Sequence, residues 1–152
     1  MNINELKKQG ICPTCHNRKY GGVYLPLGER LIYEDDFLEC FFEEHPRSIG
    51  HVIILTKEHF NDMSYVSDEV SDYVFRFSKN MMNVLKEVLK VERVYLCTMC
   101  DGDINHFHVQ LIPRHPGEKI GSTNFVKERK DYIHDEIIVN KTRGLINKIM
   151  NK

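Results

Sequence analysis

Between Asn105 and His115 the chain reads Asn-His-Phe-His-Val-Gln-Leu-Ile-Pro-Arg-His. In an extended strand alternate side chains point to opposite faces. His106, His108 and Gln110 therefore share one face, and Phe107, Val109 and Leu111 share the other. The second face is apolar and suits a core; the first is a row of nitrogen-bearing groups that a core does not need. Pro113 has no amide hydrogen for a ladder, so it is expected to end the strand. What the row is for must come from the rest of the chain.

The flanking sequence supplies the rest of a sheet. Glu92 to Cys100 reads as a strand, Asp101-Gly102-Asp103 as a tight turn, and Asn105 to Ile112 as the antiparallel partner. Upstream, Val23–Leu27, Leu31–Tyr33, Phe37–Phe42 and His51–Leu55 are strand-like runs separated by Gly and Pro punctuation. From about Ser67, Val70, Val74, Phe77, Met81, Leu85 and Val88 recur at helical spacing, with Ser67 or Asp68 as the N-cap. Such a stripe is core. The opening around Cys12 and Gly21-Gly22 reads as loop. Beyond Gly117, the expectation is a Gly-Ser loop, a short Asn124-Phe125-Val126 segment, a solvated charged run from Lys127 to Asp131, a short strand at Ile137–Val139 and a closing helix over Thr142–Met150.

A chain of 152 residues with no repeat or linker is expected to form a single domain over 1–152. Its 21 basic and 22 acidic residues nearly cancel, so no broad footprint for nucleic acid or membrane is visible. The polar start from Met1 to Gly10 resembles neither a signal peptide nor a membrane span, which points to the cytoplasm. Five cysteines, an odd number, argue against a disulfide framework and leave packing, metal or thiol chemistry.

Cys12 and Cys15 have the spacing that turns two thiolates onto one ion, and a structural zinc needs two further ligands. Cys97 and Cys100 are one option, although residues three apart on a regular strand face opposite ways. His59 and His106, each at a strand end, are the other. His16 is a further candidate, awkwardly adjacent to Cys15. A lone Cys-x-x-Cys is also compatible with two plain thiols. His108, mid-row, has the chemistry of a nucleophile towards phosphorus, since neutral imidazole forms a phosphoramidate that transfers its group again. For either histidine alone, a half-buried sheet position is the commoner case; two histidines and a glutamine on one face shift the balance.

Gly50-His51-Val52-Ile53-Ile54-Leu55-Thr56-Lys57-Glu58-His59, followed by His106-Phe107-His108-Val109-Gln110-Leu111-Ile112-Pro113-Arg114, resembles the two signature blocks of the histidine-triad (HIT) superfamily. The resemblance spans about Cys12 to Pro116, leaving 117–152 as a C-terminal extension. It implies an α+β fold, a five-stranded antiparallel sheet with one long helix and a C-terminal helix, usually as a homodimer. It also implies cleavage at a nucleotide α-phosphate through a covalent nucleotidyl-histidine. The nucleophile falls on His108, and His51 supports the active-site histidines. Glu43 stands where the family places Asp or Asn on the ribose hydroxyls, with Phe41 on the base side. Members with an N-terminal Cys-x-x-Cys, including galactose-1-phosphate uridylyltransferases, bind structural zinc through positions that fall on Cys12, Cys15, His59 and His106.

Two departures from the family pattern carry information. Gln110 replaces the third histidine, as in the uridylyltransferases and diadenosine tetraphosphate phosphorylases. An amide cannot shuttle a proton, which favours leaving groups that need none, such as phosphates, and holds the nucleotidyl intermediate for an acceptor other than water; transfer to phosphate or to water is the expected outcome. The turn Asp101–Asn105 lacks the Gly-Gln-Ser run of many hydrolase members, with Asn105 or backbone amides as substitutes on the phosphate. A largely non-catalytic, zinc-containing nucleotide-binding or regulatory module is the competing expectation.

Overall fold

The computed structural model describes residues 1–121, 123, 128–129 and 135–151. The expected Asn124–Val126 segment and most of the Lys127–Asp131 run lie outside the described residues. Among the described residues, five strands form one antiparallel sheet: β1 (Leu31–Glu34), β2 (Leu38–Phe42), β3 (Val52–Thr56), β4 (Arg93–Cys97) and β5 (His108–Arg114), in the order β1-β2-β3-β5-β4. Four helices accompany it: α1 (Ile3–Lys8), α2 (Pro13–Tyr20), α3 (Asp68–Leu89) and α4 (Glu136–Met150). This is the α+β architecture that the family resemblance implies. No helix among the described residues is long and apolar enough to cross a membrane.

Alternation along the strands divides the sheet into two chemically distinct faces. Cys40 pairs with Ile54 and Phe42 with Val52, while Ile54 and Val52 face Val109 and Leu111 across the ladder. All these side chains are buried in one core with Val74, Phe77, Met81 and Leu85 of α3. The other face carries two rows, Glu39-Leu55-His108 and Phe41-Ile53-Gln110. Helix α3 starts where the sequence indicates, with the Ser67 hydroxyl accepting from Val70 N–H, a stabilising N-cap.

Several local expectations differ from the structure, each for an identifiable reason. Pro113 does not end β5; it lies opposite Val94 within the β4 ladder. Pairing with β3 stops at Leu111, so the missing Pro113 N–H breaks no rung on that side. Asn105 to Phe107 precede the strand, where Phe107 N–H is taken by the Phe60 carbonyl at 2.7 Å. Residues 23–27 form no strand, because Val23 and Tyr24 donate their N–H groups to Asn17 Oδ1 at 3.0 Å each. The opening is helical rather than loop: Pro13 sits at the first turn of α2, where its missing donor costs nothing. Residues 137–139 belong to α4, which begins at an Asp135 cap.

Helix α4 closes the β1 edge. Arg143 donates from Nη2 to the carbonyls of Glu29 and Leu31 at 3.0 and 2.8 Å, and Asn147 donates to Ile32 O at 3.2 Å. These side chains occupy backbone acceptors that an edge strand otherwise presents to solvent.

Gly50 turns the chain into β3 at φ 86°, and a Cβ there would stand 2.3 Å from Leu89 Cδ1 and 3.3 Å from Pro113 Cγ. Gly50→Ala should lower unfolding stability by about 1–3 kcal/mol through left-handed backbone strain and displacement of Leu89. Denaturant unfolding checks this; an unchanged midpoint would contradict it.

Candidate active site

The site grows from two neighbouring positions of β5 and the loop that enters it. His108 Nδ1 lies 2.9 Å from the His106 carbonyl. A carbonyl only accepts, so Nδ1 carries the proton and Nε2 is left with its lone pair. His108 is half-buried and lines a cleft of about 370 Å³. The same cleft is lined by Gln110 and by Ile53, Leu55, Phe41 and Glu43 of the neighbouring strands and their ends.

Gln110 is oriented by a relay that begins in the backbone. Arg47 N–H donates to His51 Nδ1 at 3.1 Å, and His51 Nε2 lies 2.9 Å from Gln110 Oε1. Because Nδ1 of His51 accepts, its Nε2 carries the proton and donates to the Gln110 oxygen. That fixes the flip of the amide, and the Gln110 NH2 is the group left for the cleft. Burial pushes the His51 pKa down to about 4 against a raising influence from Glu43. Neutral His51 is the only form that can both accept from Arg47 and donate to Gln110.

The metal-ligating candidates converge at the entrance to β5. Cys12, Cys15, His59 and His106 place one ligand atom each within 4.8 Å of one another. Cys12 precedes α2, and the helical turn brings Cys15 onto the same side. Sulfur-to-Nδ1 distances are 3.6 Å for Cys12–His106, 3.4 Å for Cys15–His59 and 3.5 Å for Cys15–His106. A tetrahedral zinc with ordinary Zn–S and Zn–N lengths separates S and N by about 3.5 Å. Both imidazoles present the correct nitrogen. His106 Nε2 donates to Thr56 O at 2.7 Å and His59 Nε2 to Asn61 Oδ1 at 3.2 Å, which leaves each Nδ1 as an acceptor. Such outer hydrogen bonds orient metal-bound histidines. Burial, then the neighbouring Cys12, pushes the Cys15 thiol up to about 11, so a thiolate pair there calls for a cation. The four residues fit the ion.

The alternative cysteine pair is not part of this cluster. Cys97 pairs with Gln110 across β4 and β5, and Cys100 Sγ lies 3.8 Å from Thr98 Oγ1. His16 packs at a tilt against Tyr20 with ring centroids 4.9 Å apart and also stays outside. Asn105 is not among the cleft residues; its amide donates to the Gly102 carbonyl at 2.6 Å.

Other cleft residues escaped the sequence reading. Arg18 on α2 donates to Lys57 O at 2.7 Å and pairs with Glu39 at 3.1 Å, tying the cysteine helix to the sheet. Leu25, Pro26 and Leu27 form an apolar wall, and Arg30 stands beside it. Arg129 reaches Glu43 at 3.4 Å and His45 O at 3.1 Å. The strand-like 23–27 run flagged the apolar wall under the wrong conformation. Arg129 lay in a charged run indistinguishable from solvent-facing sequence.

An α+β domain whose antiparallel sheet presents an oriented histidine and glutamine beside a Cys2His2 cluster defines a histidine-motif class of protein. The family described as HIT domain matches residues 27–117, more than half of the chain, and the chain belongs to that family. An uncharacterised HIT-like protein of Borreliella burgdorferi is 26% identical over 96 residues, covering 59% of this chain and 69% of that protein. A zinc-bound histidine triad family protein from Mycobacterium smegmatis superposes with a TM-score of 0.70 at 18% identity, over 92% of this chain and 96% of that one. A hypothetical histidine triad nucleotide-binding protein from Sulfolobus tokodaii gives 0.66 at 20% identity, over 90% and 91%. At these identities the structural likeness is one of fold.

Because the native state holds His51 neutral to about pH 4 while an ordinary imidazole titrates near 6.5, the unfolded chain takes up its proton first on acidification. The stability this group contributes is complete above pH 6.5 and is lost progressively between 6.5 and 4, up to about 3 kcal/mol. Denaturation of wild type and His51→Gln across that window checks it: the variant should lose less stability on acidification, and parallel curves would contradict the assignment.

Proposed function

We propose that this HIT-family chain cleaves a nucleoside polyphosphate, dinucleoside polyphosphate or nucleotide sugar at the α-phosphate, with His108 as nucleophile. The observation that carries the reading is the His108 Nδ1–H bond to the His106 carbonyl, which leaves Nε2 basic at the floor of the cleft. In the first half-reaction the Nε2 lone pair forms an N–P bond as the bond from phosphorus to the leaving-group oxygen breaks, and that oxygen departs with the electron pair. The positive charge gained by the imidazole is shared through Nδ1–H with the His106 carbonyl. In the second, an oxygen of phosphate or water attacks phosphorus, the N–P electrons return to Nε2, and the acceptor's proton passes to solvent.

Gln110 acts by hydrogen bonding. With Oε1 engaged by His51, its NH2 donates to the phosphoryl oxygens as charge builds on them. No proton is available from the amide, so leaving groups that are stable anions suit the site. Glu43 and Phe41, which line the same cleft, take the ribose and base sides. Thr98 Oγ1 donates to His108 O at 2.8 Å and steadies the strand under the nucleophile.

The Cys2His2 cluster holds zinc in this reading. Four protein ligands leave no open coordination position, so the ion supplies a cross-link between α2 and the segment entering β5. The outer edge of β4 pairs with no other described strand, which supports the expectation of a homodimer.

Incubation with dinucleoside polyphosphates and nucleotide sugars should give an intact-mass increase of one nucleotidyl group in wild type and none in His108→Ala. An adduct that survives His108→Ala, or the absence of any adduct, favours the non-catalytic binding module instead. Separately, metal analysis should find about one zinc per chain, lost when His59→Ala and His106→Ala are combined. Zinc retained in that double variant would refute the ligand set.

A further inference from the structure

The cleft extends across the sheet well beyond the proposed reacting histidine, and its far end carries a cation with no ion-pair partner among the described residues. From His108 and Gln110 on β5, the floor runs through Leu55 and Ile53 on β3 to Phe41 on β2, and Arg30 stands immediately before β1, whose Leu31 pairs with Phe41. Three strand spacings of about 4.8 Å place β1 about 14 Å from β5. A nucleotide anchored at its α-phosphate by β5 therefore reaches the Arg30 end with its base. There Leu25, Pro26 and Leu27 form a wall above Phe41 and Ile53, an apolar slot suited to a flat ring.

Two of the cleft's three acidic groups are paired with arginines among the described residues, and Arg30 is in neither pair. Glu39 is paired with Arg18 and Glu43 with Arg129. Glu44, the remaining acidic lining residue, is half-buried like Arg30. Arg30 is half-buried, and its one hydrogen bond to a described residue runs from Nη1 to the Phe42 carbonyl at 3.3 Å. A guanidinium has five N–H donors in a rigid fork, so most of this one is left for a ligand. Its backbone is held from both sides: Arg143 on α4 donates to the carbonyls of Glu29 and Leu31, the residues flanking Arg30.

A half-buried fork of donors beside an apolar slot selects a ring edge with two adjacent acceptors. Guanine presents O6 and N7 together; adenine presents N7 beside an N6 amino group, donor against donor. The span across the sheet favours a bicyclic base over a single ring. We propose that Arg30 is the base-reading residue of this cleft and selects guanine nucleotides. This rests on the reading of the cleft as a nucleotide site.

Direct calorimetric binding of GMP and AMP tests the assignment without requiring turnover. GMP should bind wild type about tenfold or more tighter than AMP. The ratio of the two affinities should fall towards one in Arg30→Gln and also in Arg30→Lys, which keeps the charge but loses the fork. Thermal melting confirms that both variants are folded. Equal binding of the two nucleotides to wild type, or a preference that survives both substitutions, would overturn the role of Arg30 while leaving the nucleotide reading intact. A uniform loss for GMP and AMP would mark Arg30 as a stacking or generic phosphate contact and would equally overturn it. Failure of both nucleotides to bind wild type would overturn the nucleotide reading and the Arg30 role together.

Discussion

Each imidazole at the centre of this molecule has one ring nitrogen committed to a fixed partner, and the chemistry depends on that commitment. His106 gives its Nε2 proton to Thr56 O, His108 gives its Nδ1 proton to His106 O, and His51 accepts from Arg47 N–H. Every one of these partners is a backbone group. Backbone groups are held by the ladder and the turns, so the tautomers are set by the fold itself and need no further side chain to select them. The nitrogen that remains on each ring is then directed one way only: His106 Nδ1 towards the cysteines, His108 Nε2 away from its carbonyl partner and His51 Nε2 as donor to Gln110.

These three imidazoles are also physically linked. His106 uses its side chain towards the cysteines and its carbonyl towards His108, so one residue joins the Cys2His2 cluster to the cleft. Helix α2 makes a second link, because Cys15 faces the cluster while Arg18, one turn on, reaches Glu39 at the cleft. Displacement of this short helix would reach both places at once.

Much of this was legible in the sequence because strand alternation translates directly into faces. His108 and Gln110 on one side and Val109 and Leu111 on the other needed only the period of two, and the stripe of α3 needed only the period of 3.6. The parts that were not legible depend on partners distant in sequence. Pro113 fits inside β5 because β3 stops short of it. The 23–27 segment is drawn out of strand geometry by Asn17. Arg30 and Arg129 sit in polar surroundings that look solvent-facing until the cleft closes around them. Helix α2, with two cysteines and mainly polar residues, lacks an apolar stripe, and its place is set by what Cys12, Cys15 and Arg18 bind.

The grip of α4 on β1 separates what makes the family recognisable from what covers one edge of the sheet. The stretch shared with the family closes at residue 117, whereas the carbonyls of Glu29, Leu31 and Ile32 find their donors on a helix that starts at Glu136. Cutting the chain at the border of resemblance would keep all the signature histidines and strip one rim of the sheet. Sequence drift in this peripheral helix can therefore shift the Arg30 end of the cleft without altering the β5 face that carries His108 and Gln110.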